Sequence, residues 1–127
     1  MKTLILMVLV ACLAGCGDGR PSAGSARGAL NDVYARYREA DRTASVTPKF
    51  MLAGPVATLK NIQKEAESLP VPDCLAMVKL DLTFAMIMND SGYFSFMLFG
   101  GGDASFATAG EYFAKFETAM ADPNTCK

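Results

Sequence analysis

A chain of 127 residues is long enough for one domain with its own core. Its formal net charge of −1 removes the electrostatic case for nucleic acid. Histidine is missing altogether, so the commonest general base and zinc ligand are absent and no Ser/His/Asp or Cys/His set exists for nucleophilic catalysis.

The first sixteen residues read as a targeting segment. Lys2 is a positive start, residues 4–11 are an apolar run, and Leu13-Ala14-Gly15-Cys16 is a cleavage site. Those four residues resemble the lipobox of bacterial lipoproteins, in which the signal is cut before the cysteine. The resemblance implies a diacylglycerol thioether on Cys16 and an N-acyl chain on the new terminus. It covers the signal alone and carries nothing about the domain behind it. Leu9-Val10-Ala11-Cys12 fits more loosely and would leave a very short apolar run. Gly17, rather than Asp, follows Cys16, which points to the outer membrane on its periplasmic face. The inner membrane and the cell surface stay open. On this reading residues 1–15 are the signal, 16–24 a Gly/Ser/Pro tether reaching about 25 Å, and 25–127 the folded domain.

From Ser25 the pattern turns helical. Leu30, Val33, Tyr34, Tyr37, Ala40 and Ala44 share one face, and charged residues such as Asp32, Arg36 and Glu39 lie away from it. Acidic neighbours interrupt the basic residues, so that side is expected to be solvated rather than lipid-bound. Thr47-Pro48 predicts the opening of a second helix running to Leu69, with Leu52, Val56, Leu59, Ala66 and Leu69 as its apolar stripe and Ile62 beside it. Gly54-Pro55 falls inside that span, so the helix either kinks or begins there. Pro70 and Pro72 predict an extended corner.

The stretch 47–75, with Thr47-Pro48-Lys49, Pro55-Val56 and Val71-Pro72-Asp73-Cys74-Leu75, resembles small secreted bacterial proteins that are uncharacterised. That resemblance implies no activity.

Residues 72–99 predict a long third helix, with Pro72 at its first position and Gly100-Gly101-Gly102 as its stop. Lys79, Thr83 and Asp90 fall on one narrow strip, and most of the remaining circumference is apolar. Lys79, Asp81 and Asp90 interrupt the span too often for a membrane anchor. Gly92 in mid-helix predicts close approach of a neighbour. Asp103 is the expected N-cap of a fourth helix to about residue 121, with Phe106, Ala109, Phe113, Phe116 and Met120 as its core face.

The predicted architecture is all-α, an antiparallel up-down-up-down four-helix bundle tethered by lipid at its N-terminus. Three long helices and a short one are the alternative. A short connector between helices three and four makes them a hairpin, which brings Cys74 beside Cys126 and predicts a disulfide. Met77, Met86, Met88 and Met97 would suit copper(I) as soft ligands, but Met86 and Met88 diverge on a helix, and core or groove packing is the better reading. The glycine run lacks the Lys-Ser/Thr of a phosphate loop. Asp41 and Asp81 are the carboxylates nearest apolar faces, expected to accept hydrogen bonds rather than to catalyse.

No metal or cofactor is expected beyond the lipid on Cys16. The functional expectation is a non-enzymatic protein-binding or structural module of the envelope, using an exposed strip near Met86, Tyr93, Phe94 and Met97 toward a protein partner or another copy. The alternative is a carrier or sensor of a small apolar ligand between the helices.

Overall fold

A computed structural model describes residues 19–127. Cys12, Cys16 and the first three residues of the tether, 16–18, therefore lie outside the described residues. Those described form four α-helices and no strand: α1 (Ala23–Val46), α2 (Ala53–Ser68), α3 (Ala76–Phe99) and α4 (Asp103–Ala121).

Local chemistry sets each boundary. The Ser22 hydroxyl caps α1 by accepting from the Ser25 amide at 3.1 Å, so the helix begins at Ala23, two residues inside the predicted tether. It ends before Pro48, which forces Thr47 into an extended conformation. Thr47 does not open the second helix as expected. Its hydroxyl donates to the Thr43 carbonyl at 2.7 Å and closes the first. A single 3₁₀ turn, Lys49–Met51, follows. Pro55 sits in the first turn of α2, where its missing N–H has no intrahelical partner to lose, so no kink is needed.

The Pro70–Pro72 corner is extended as predicted, but a 3₁₀ turn, Asp73–Leu75, comes before α3 begins at Ala76. Gly100 ends α3 in the left-handed region (φ 75°). Gly102, at φ 139°, caps α4, and Asp103 is its first residue rather than its N-cap. There the carboxylate still complements the helix dipole.

The core is built from Leu30, Val33 and Tyr37 of α1, Leu59 and Ala66 of α2, Leu82, Ala85 and Met86 of α3, and Ala109, Phe113 and Phe116 of α4, with Leu52 and Leu75 closing its two ends. The predicted core faces of α1, α2 and α4 are thus the buried ones. Cys74 and Cys126 are disulfide-bonded, with Cα atoms 5.1 Å apart. Phe84 meets Tyr112 (ring centroids 4.5 Å) and Tyr93 meets Phe106 (5.0 Å), so contact positions fall along α4 as they rise along α3. Arg27 of α1 straps the C-terminal segment by donating to the carbonyls of Met120 at 2.9 Å and Thr125 at 2.6 Å.

The third helix departs from expectation. Its polar strip does not face solvent: Thr83 and Asp90 are buried with Asn89, and half-buried Lys79 donates to the Leu69 carbonyl at 2.7 Å. The physical reason is that α1 and the end of α2 supply hydrogen-bond partners on that side, which removes most of the cost of burying polar groups.

Candidate functional site

The inner face of α3 carries a connected polar network. Tyr37 sits on the core stripe of α1, and its hydroxyl donates to Asp90 Oδ1 at 2.5 Å, with the Met86 carbonyl 3.1 Å away. Asn89 Nδ2 donates to Asp41 Oδ1 at 2.7 Å and lies 3.3 Å from the Tyr37 hydroxyl. Tyr93 donates to the same Asp41 oxygen at 2.8 Å. Tyrosine and aspartate from α1 thus interleave with asparagine, aspartate and tyrosine from α3. Asp41 fulfils the hydrogen-bonding role expected of it, whereas Asp81 lies half-buried outside the network.

Electrostatics in the network follow burial. Asp90 is 6% exposed. Burial pushes its carboxyl up to about 6, against the opposing pull of the Tyr37 hydrogen bond and the Lys60 charge. Burial also holds the Tyr37 and Tyr93 phenols well above their ordinary range, reinforced by Asp90 and Asp41 respectively. Asp90 Oδ2 is buried without a hydrogen-bond partner, the one such side-chain atom among the described residues. The arrangement holds protons in place between tyrosine hydroxyls and carboxylates.

Several clefts border α3, two of them beside the polar network. One, of about 400 Å³, is bounded by Asp41, Asn89 and Tyr93 with Phe96, Asp103 and Phe106. The other, of about 490 Å³, runs between α2 and α3 past Val56, Lys60, Gln63, Ile87, Asp90 and Phe94. Gly92 lets α4 approach: a Cβ there would lie 2.6 Å from the Phe106 ring.

The outer face of α3 is apolar and open. Met77, Leu80, Phe84, Ile87, Phe94 and Leu98 are all exposed, from 36% at Phe84 to 66% at Met77, and Ser91 completes their row. Successive members are three and four residues apart along the whole helix. A second apolar patch lies at the end of the molecule where Lys49 sits over the Phe96 ring (5.8 Å), with Phe50 and Phe99 exposed.

The four residues expected on the surface strip therefore divide. Phe94 is 56% exposed, Met97 is half-buried, and Met86 and Tyr93 are buried. Met86 and Tyr93 belong to the core side because Tyr37 and Asp41 draw that side of α3 inward. The members of the open row that sequence reasoning missed, Met77, Leu80, Phe84, Ile87 and Leu98, carry a readable signal in their 3–4 spacing. That spacing alone does not say which side of an almost wholly apolar helix faces out. Of the four methionines weighed as soft ligands, Met77 is exposed, Met86 is buried, and Met88 and Met97 are half-buried.

Comparison with protein families, curated proteins and solved structures found no match. The functional reading therefore rests on the geometry of α3. No helix among the described residues is long and apolar enough to cross a membrane.

Proposed function

We propose that this chain is a non-enzymatic envelope lipoprotein, held by diacylglycerol and an N-acyl chain on Cys16, that binds another protein through the outer face of α3. The observation that carries the binding reading is that face: six large apolar side chains stand exposed in one row of a 24-residue helix. Soluble domains ordinarily place charge there, and an apolar patch of this kind marks an interaction surface.

The fold that presents it is read as an up-down-up-down bundle. The order of the contacts supports this: Tyr37 meets Asp90 and Asp41 meets Tyr93 in rising order, while Arg27 meets Met120 and Tyr34 meets Phe116 as α4 descends. The Cys74–Cys126 bond is in keeping with an oxidising compartment, such as the periplasmic side of the outer membrane. A carrier of a small apolar ligand draws no support from the interior, where Leu59, Leu82 and Met86 are fully buried. The clefts beside α3 have carboxylates in their walls.

Two measurements test this reading. Palmitate labelling in a bacterial host is expected to vanish in Cys16→Ala and to survive in Cys12→Ala, and the labelled protein should resist salt extraction from membranes. Labelling that persists in Cys16→Ala refutes the anchor. Chemical crosslinking of intact envelopes is expected to trap the chain in an adduct that Phe94→Glu abolishes. An adduct indifferent to Phe94→Glu refutes the α3 face as the binding surface.

A further inference from the structure

We infer that the partner of the outer face of α3 is a second copy of this chain, packed α3 against α3 across a twofold axis. The inference rests on the reading of that face as a binding surface and names its occupant.

The spacing suits a helix as the opposing element. From Met77 to Leu98 the open row alternates three and four residues without a break, which is the repeat by which one helix seats its side chains between those of another. A bilayer surface accepts the same period, so the choice of occupant rests on the self-complementarity of the row.

The row is also complementary to itself. Pair it antiparallel about a twofold axis at Ile87, and Met77 meets Leu98, Leu80 meets Phe94, and Phe84 meets Ser91. The bulky Phe84, fixed against Tyr112, then faces the smallest side chain in the row. An isologous interface needs this property and no other partner does.

Area and charge agree. The exposed fractions leave roughly 600 Å² of apolar side chain per copy, most of the ~800 Å² that each partner of a stable complex buries. No charged residue interrupts the row, and a formal net charge of −1 gives two copies little reason to repel.

Position 87 provides the test, using the full chain expressed in a bacterium. Ile87→Cys, treated with a mild oxidant in isolated membranes, is expected to give a product of twice the chain mass. Mass spectrometry should find it linked through position 87 and containing this chain alone. Thr43→Cys, on the exposed side of α1, should give no such linked product. Adding Phe94→Glu to Ile87→Cys should reduce the product at least tenfold while leaving the helical circular dichroism intact.

An adduct through position 87 with a different protein overturns the second copy and leaves the binding surface standing. A fluorophore at position 87 that is quenched by lipid-borne quenchers overturns both readings, because the face then lies on the bilayer. Absence of any adduct, with a monomeric mass that Phe94→Glu does not alter, overturns both readings.

Discussion

Asp90 ties the stability of the fold to pH. An aspartate in an unfolded chain titrates near 3.9, and burial raises this one to about 6 in the folded protein. Between those values the folded chain binds the proton and the unfolded chain does not. The contribution of Asp90 is therefore fully present below the unfolded value and is lost as pH rises through 6. Its size is about 3 kcal/mol from two units of difference. Asp90→Asn keeps an acceptor for the Tyr37 hydroxyl and removes the charge. Urea unfolding at pH 4 and pH 8 should show wild type losing about 2–3 kcal/mol relative to this variant over that interval. Equal pH dependence in the two proteins would mean that the carboxylate is solvated.

Gly92 is decided at the same scale. Alanine is the better helix former by about 1 kcal/mol, but its methyl would stand 2.6–2.9 Å from the Phe106 ring. Overpacking of that kind costs about 1–3 kcal/mol, so Gly92→Ala should destabilise wild type. In a Phe106→Ala background the clash is gone, and the same change should stabilise. A double-mutant cycle by thermal unfolding reads the reversal of sign, and its absence would mean that the ring moves aside freely.

Among the elements, α3 and α4 are joined twice, by the glycine turn and by the Cys74–Cys126 bond. A sequence separation of 52 makes the covalent link worth about 4 kcal/mol on the loop-entropy account. Reduction should therefore lower the melting midpoint strongly while the helical signal at low temperature persists, since Arg27 still holds the carbonyls of Met120 and Thr125. Loss of helicity on reduction at 10 °C would show the packing to be insufficient alone. The two sides of the hairpin should differ sharply. Phe113→Ala removes a ring from the core, at 5% exposure, and should cost about 3–5 kcal/mol. Phe94→Glu alters an exposed position and should change unfolding free energy by less than about 1 kcal/mol. A comparable cost at both positions would place Phe94 in the core.

At the scale of the whole molecule, polar groups inside and apolar groups outside meet on one helix. The Tyr37–Asp90 and Asp41–Asn89–Tyr93 bonds hold the inner side of α3 against α1, which leaves the apolar row on the opposite side uncovered. The interior network and the outer surface are thus two consequences of one rotational setting of α3. Asp90→Leu, read beside Asp90→Asn, separates them. If the network sets the rotation, Asp90→Leu should raise the exposure of Thr83 and Asn89, seen as faster amide exchange along α3, and should weaken any adduct formed through the outer face.

The sequence by itself determined the helices and the staple. Proline and glycine mark the ends, the apolar stripes of α1, α2 and α4 are one-sided, and a short turn between two helices of similar length leaves Cys74 and Cys126 at the same end. Only the tertiary structure decided which side of α3 is inside. Its circumference is apolar almost throughout, so hydrophobic patterning gives no preferred inward direction. The choice belongs to hydrogen-bond partners 48 to 53 residues away on α1, which reach Asn89, Asp90 and Tyr93 only once the helices have packed.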